Sequence, residues 1–174
     1  MHSSNQNGRT FNLALISVLC ALAMALSFIE SILPPLAFFP AGFKIGVSNI
    51  TVMYALFCLS LPHALLLSLV KSFFILFISG GYAFSLSLVG SVMSVMAMAL
   101  VIMIFKTKIS YSAVSVMGAL FHNGAQLVLV CLITQSTAAL YYSPILVIAA
   151  VVCGFATAAI LKACMPTIMK LSKR

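Results

Sequence analysis

Long apolar stretches alternate with short polar breaks along almost the whole chain. A helix needs about 20 mainly apolar residues to cross a bilayer core of ~30 Å, and the stretches between the breaks approach or exceed that length. Pro62 marks the start of one stretch, because proline is tolerated in the first turn of a helix, and Gly80-Gly81 marks its end. The pattern predicts six spanning helices, with one bent span over 46–79 as the five-helix alternative. The predicted ranges are 10–33, 46–61, 62–79, 82–105, 110–135 and 139–165.

The composition excludes a soluble protein. Of 174 residues, 64% are hydrophobic, and the charged residues are nine Lys or Arg and one acid, Glu30. A soluble domain of this size carries about forty charged residues. So few charges cannot form a water-exposed surface, and so much apolar content excludes a disordered chain. The sequence therefore predicts an all-α polytopic integral membrane bundle, a single membrane domain over 1–174, surrounded by the lipid bilayer.

The basic residues predict the orientation of the bundle. With six spans, both termini and the connections after spans two and four lie on one side of the membrane. That side carries nearly all the positive charge, whereas Lys44 is alone on the other. Since cytoplasmic segments are enriched in Lys and Arg, we expect both termini in the cytoplasm and the protein in the plasma membrane. The residues on or near the basic side are Arg9, Lys106, Lys108, Lys162, Lys170, Lys173 and Arg174.

Several kinds of chemistry have no matching motif. The net charge of +8 is not gathered into a patch, so no nucleic-acid partner is predicted. The sequence contains no GxxxxGK[ST], HExxH or GxSxG, and it has no second carboxylate beside Glu30. The five cysteines lie in apolar runs without a CxxC pair, which predicts free thiols. We therefore expect neither a catalytic site, a metal site nor a cofactor.

Two charged residues lie within predicted spans, Glu30 near the outer end of span one and Lys71 near the middle of span three. A charge at mid-bilayer costs about 2.5–3.5 kcal/mol on insertion scales, so Lys71 is expected to face a cavity or a partner. Because Glu30 is the only acid, it is the only possible carboxylate partner within the chain. The pair is either a structural ion pair or part of a polar pocket open to the outside.

Span five carries His122, Asn123 and Gln126, which are spaced to share one helical face. Three hydrogen-bonding side chains on one face are not expected to point at lipid. Gly124 between them would let a ligand or another backbone approach closely. The cluster is either a hydrogen-bond clasp between helices or part of a binding site.

The segment 34–46 is the longest predicted extracytoplasmic connection. Its three prolines restrict the chain, and its aromatic side chains make it apolar. We expect it to fold back over the bundle as a lid, with Lys44 as an anion contact and Asn49 one turn into span two. The alternative is an interfacial loop with Lys44 at the lipid headgroups. The lid side chains are Phe38, Phe39 and Phe43.

Small residues four apart occur in three spans, and such spacing lets helix backbones approach closely. Span one has Ala21 and Ala25, span four has Gly90 and Ser94, and span six has the repeat 150–158. Each is either packing within the bundle or a contact with another membrane subunit.

Four elements occur in order along the chain: Glu30 at the end of span one, the run 42–50, Lys71-Ser72 followed by Gly80-Gly81, and the run 122–126. Together they resemble the Gx transporter family, whose members are often labelled heptaprenyl diphosphate synthase component I. That family is similar to the substrate-binding S components of energy-coupling factor (ECF) transporters. The resemblance implies a six-helix fold with cytoplasmic termini, a pocket towards the outer face and a capping loop after helix one. It also implies that Ala21 and Ala25 contact a coupling membrane subunit.

These observations predict a substrate-binding subunit of an ECF-type uptake transporter that works with separate ATPase subunits and is not itself an enzyme. The expected substrate is a small molecule, flavin-like or prenyl-diphosphate-like. One alternative is an accessory membrane subunit of heptaprenyl diphosphate synthesis, because the chain lacks the aspartates that such synthases use. Another is an autonomous carrier or channel. The predicted substrate-binding residues are Glu30, Lys44, Asn49, Lys71, His122, Asn123 and Gln126.

Overall fold

The computed structural model describes residues 3–32, 46–105 and 109–172, and the side chains of 12–32, 46–105 and 109–164. The described residues are helical almost throughout and include no strand. This confirms the predicted all-helical class. The helices are α1 (Ser3–Ile32), α2 (Asn49–Cys58), α3 (Leu61–Phe105), α4 (Tyr111–Thr134) and α5 (Ser143–Ser172), with a 3-10 helix (Thr137–Tyr142) before α5.

The helix α3 reverses direction at Gly80. This residue has φ 79° and ψ 179°, a backbone conformation that favours glycine. The hydroxyl oxygens of Ser72 and Ser87 lie 3.2 Å apart across the break, and the ring centroids of Phe73 and Phe84 lie 5.3 Å apart. On a straight helix residues 72 and 87 would be about 22 Å apart. The two halves, α3a (61–79) and α3b (81–105), therefore form an antiparallel hairpin.

Among the described residues, four helical segments are long and apolar enough to cross a membrane, which supports the predicted membrane protein. The six-span count and the side on which the termini lie are not confirmed. The break at Gly80 does separate two halves of about 20 residues, as predicted. By contrast, α2 has only 10 residues and is about 15 Å long, so it is shorter than the predicted span 46–61. The four segments are Asn12–Ile32, Leu61–Phe105, Tyr111–Thr134 and Thr137–Cys164.

Although α2 is short, it lies inside the bundle. Six of its ten residues are buried, and Val52, Met53 and Ala55 are fully so. It packs against α1, α3 and α5. The start of α2 is therefore surrounded by other helices, and this placement positions the site described below.

Close helix packing is achieved by small residues. A Cβ added at Gly154 of α5 would lie 2.6 Å from the Cα of Val116 in α4, so the two backbones nearly touch. Ala150 and Ala158, four residues to either side, are also buried. The small-residue repeat of span six thus packs within the bundle. Ala21 and Ala25 of α1 are instead exposed, and their contact with another subunit stays a prediction.

Candidate functional site

The centre of the site is the turn 46–48, which leads into α2. Gly46 has φ +87°, in the left-handed region that favours glycine, and both Gly46 and Ser48 are buried. The Ser48 side chain makes no hydrogen bond of its own to cap α2. Glu30, near the end of α1, supplies the acceptors instead: Val47 N–H donates to its Oε1, and the Ser48 hydroxyl donates to its Oε2 over 3.1 Å. A carboxylate at this position suits the positive end of the α2 dipole.

Lys71 reaches the same turn from the middle of α3a. Its side chain is 1% exposed, and its Nζ donates to Asn49 Oδ1 and, over 3.2 Å, to Ser48 Oγ. The Ser48 hydroxyl therefore links Lys71 to Glu30. The sequence indicated that Glu30 is the only possible carboxylate partner of Lys71 within the chain. It did not indicate that Ser48 lies between them.

The turn lies beside the middle of α3a and beside the last turn of the described part of α1. Lys71 is about 15 Å along α3a from Leu61, whereas Glu30 is two residues from Ile32, the last described residue of α1. Within a membrane, backbone outside helices is tolerated only where it is buried in protein or lines a cavity. Gly46 and Ser48 are buried, and Val47 is 38% exposed.

The polar side chains of α4 are His122, Asn123 and Gln126, and hydrogen bonds orient each of them. Gln126 Nε2 donates to the Leu86 carbonyl over 3.4 Å and contacts His122 Nε2 at 3.1 Å. Because an amide nitrogen only donates, His122 Nε2 is the acceptor and the ring proton is on Nδ1. Asn123 Nδ2 donates to the Leu146 carbonyl of α5 over 3.2 Å. The three side chains are buried as predicted, but Asn123 bonds α5 whereas the other two contact each other and Gln126 bonds α3b.

Glycines bring the two groups together. A Cβ at Gly46 would lie 2.9 Å from Asn49 Nδ2 and 3.3 Å from His122 Cδ2, so this residue is in contact with both. A Cβ at Gly90 would lie 2.9 Å from His122 Nδ1 and 3.0 Å from Gln126 Cγ. The Lys71–Asn49 pair and the His122–Gln126 pair thus face the same turn. We call these four residues, with Glu30 and Ser48, the polar core.

A small cavity extends from the polar core into the bundle. Its volume is about 10 Å³, at the lower limit of the space that holds one water molecule. Gly46 and Asn49 line it, together with the hydroxyl-bearing residues Ser94, Ser115 and Thr157 of α3b, α4 and α5. Several buried polar atoms have no hydrogen-bond partner among the described residues, namely Ser91 Oγ, Ser94 Oγ, Asn123 Oδ1 and Gln126 Oε1. The site therefore has hydrogen-bonding capacity that its own side chains do not use.

A family model described as heptaprenyl diphosphate synthase component I matches residues 19–164. The chain belongs to this family. The match covers every described residue of the polar core. No curated protein and no solved structure matches the chain.

In this member of the heptaprenyl diphosphate synthase component I family, Gly124 lies away from the polar core. Gly124 is exposed, and no side chain or neighbouring backbone lies within 4 Å of the position of its Cβ. It lines an apolar groove of about 560 Å³ between α3b and α4, with Phe121 and Val128 nearby. Gly124 points away from His122 and Gln126, because a residue two positions from each lies on another helical face. It does not open the polar core to a ligand.

Ser94, Ser115 and Thr157, which line the cavity, are not evident from the sequence. Ser94 is buried on α3b with Ser87 and Ser91, which do not line the cavity, at a spacing of four and three residues. Such a spacing does not by itself indicate a site, because serine in a membrane helix commonly bonds its own backbone, as Ser85 does to the Gly81 carbonyl at 2.9 Å. The family member's Ser115 and Thr157 carried no signal of this kind.

The predicted lid and the outer anion contact lie outside the described residues; these are Phe38, Phe39, Phe43 and Lys44. The five cysteines all lie within the described residues and form no disulfide bond there. Within the described residues, no group of three or more His, Cys, Asp or Glu side chains has the arrangement of a metal site.

Proposed function

We propose that the protein is the substrate-binding membrane subunit, of the S-component type, of an ECF uptake transporter. The observation that carries this proposal is the convergence of Lys71 and His122 on the turn 46–48. Lys71 is 1% and His122 2% exposed, and each lies near the middle of its helical segment, α3a or α4. Placing ionisable side chains within transmembrane helices costs free energy, and such side chains commonly mark substrate or ion pathways.

The start of α2 strengthens the proposal. In several transporter folds, half-helices begin near the bilayer midplane and direct their N-termini at anionic groups of the substrate. Here α2 begins at Asn49, beside a buried ammonium group. The arrangement suits a small molecule that carries an anionic or strongly polar group, and flavin-like and prenyl-diphosphate-like compounds both fit that description.

Transport by this chain would need partners, because the sequence has no phosphate-binding loop to hydrolyse ATP. We propose a coupling membrane subunit that contacts α1 at Ala21 and Ala25, and a pair of ATPase subunits. Both alanines are exposed, on a helix that packs against α2 and α3. The distribution of Lys and Arg supports a plasma-membrane location with cytoplasmic termini.

The test is affinity purification of the tagged protein from its native membrane, followed by identification of the proteins that accompany it. The proposal predicts paired ATPases and one further membrane subunit. A soluble prenyl diphosphate synthase in their place would support the accessory role and contradict the transporter role. Uptake by the chain reconstituted alone, without nucleotide, would support an autonomous carrier instead.

A further inference from the structure

The small cavity beside the turn 46–48 is lined by a hydrogen-bond donor that can be identified. Asn49 accepts from the Lys71 ammonium through Oδ1, so its Nδ2–H₂ group is the one directed towards Gly46. Gly46 and Asn49 both line the cavity. At Asn49 the cavity lining therefore offers an amide donor and lies beside the positive charge of Lys71. A metal cation would find neither a carboxylate nor a free amide oxygen there.

The cavity lining also includes a buried hydroxyl group that needs a hydrogen-bond partner. Ser94 is 1% exposed, lines the cavity, and has no hydrogen-bond partner for Oγ among the described residues. Ser115 and Thr157 add hydroxyl groups from α4 and α5, and both side chains are at most 9% exposed. A buried polar atom without a hydrogen-bond partner is destabilising. A cavity of about 10–15 Å³ can hold a water molecule when two to four polar groups bond to that water.

We infer that this cavity binds a single oxygen atom that accepts from Asn49 Nδ2 and pairs with Ser94, Ser115 and Thr157. In the free protein the oxygen belongs to a water molecule. In the loaded protein a carbonyl or carboxylate oxygen of the substrate replaces it. The second statement rests on the proposed function and narrows it, because it restricts the substrate to compounds that present such an oxygen to the inner end of the site.

Ser91 provides a matched control for Ser94. Both serines lie on α3b, both are at most 1% exposed, and neither hydroxyl has a partner among the described residues. Only Ser94 lines the cavity. Alanine at 91 removes an unsatisfied hydroxyl and should raise the melting temperature. Alanine at 94 removes a partner of the bound oxygen and should lower it.

The experiment measures thermal melting of the purified protein in detergent without added ligand. We expect Ser94→Ala to lower the melting temperature by about 2–4 °C and Ser91→Ala to leave it unchanged or raise it. A rise with Ser94→Ala as large as that with Ser91→Ala would overturn the inference. Stabilisation of the wild type, but not of Ser94→Ala, by NaCl relative to choline chloride would also overturn it, because a cation would then occupy the cavity.

The second statement, that a substrate oxygen replaces the water, is the substrate part of the inference. Native mass spectrometry of the wild type and of Thr157→Val tests it. A small molecule retained by the wild type should carry a carbonyl or carboxylate, and Thr157→Val should reduce its retention about tenfold. Equal retention by wild type and Thr157→Val would refute the substrate part while leaving the proposed function intact. If the wild type retains no compound, the proposed function and the substrate part fail together, and the melting experiment still decides whether the cavity holds an oxygen.

Discussion

Lys71→Met separates a binding role of the buried ammonium from a structural one. Methionine has nearly the same length and no charge. The substitution leaves Asn49 Oδ1 and Ser48 Oγ without the donor they have now, at about 1–3 kcal/mol each. It also removes a charge whose placement in the bilayer costs about 2.5–3.5 kcal/mol. Since the two effects oppose each other, we expect the net change in stability to stay within about 2 kcal/mol, which corresponds to less than about 8 °C in melting temperature.

Substrate binding should respond very differently. A hydrogen bond to a charged group contributes about 1.5–3 kcal/mol, so loss of the ammonium should weaken binding at least about tenfold. The assay compares folded yield, melting temperature and retained small molecule for wild type and Lys71→Met. Lys162→Met is the control, because Lys162 is exposed and lies in the C-terminal half of α5. A collapse of folded yield in Lys71→Met alone would mean that the lysine is a structural ion-pair partner, and undiminished retention would exclude it from the binding site.

Further substitutions test separate parts of the account. Gly154→Ala should lower stability by about 1–3 kcal/mol, because its Cβ would meet the Val116 backbone at 2.6 Å, whereas Gly124→Ala should raise it, since the space there is open; thermal melting of the two variants decides. Glu30→Ala should cost about 0.5–2 kcal/mol, as loss of a helix N-cap does, and Glu30→Gln less, because one acceptor for Val47 N–H remains; equal melting temperatures for both variants and wild type would refute the capping role. Replacing exposed Ala21 and Ala25 with leucine should block co-purification of a coupling subunit without changing the melting temperature, and unchanged co-purification would exclude this surface.

The long apolar helices of this protein could be predicted from the sequence because lipid imposes a simple rule on apolar length. The same rule explains why α2 was predicted too long. Its ten residues are followed by Leu59 and Ser60 and preceded by the turn 46–48, all of which are largely apolar or small, so composition alone cannot show where the helix begins. The helix begins after the turn at Gly46, whose positive φ is not evident from the sequence.

The residues of the site were easier to find than their connections. Lys71 and the His122–Gln126 pair stand out because charged and amide groups are costly in a membrane. Their neighbours do not stand out: Ser48 and Ser94 are ordinary residues in a sequence, and only the folded chain shows that one links Glu30 to Lys71 and the other lines a cavity. Gly124 is close to His122 in sequence but lies on a different helical face, so it does not belong to the polar core.

The central claim is that polar side chains from separate helices form one binding site for a small molecule within the bilayer. Native mass spectrometry of the wild-type protein, gently purified in parallel with Lys71→Met, tests it most directly. The account predicts a wild-type species heavier than the polypeptide by the mass of one small polar compound, and its loss from the variant. A wild-type spectrum that shows only the bare polypeptide and bound lipid would contradict it.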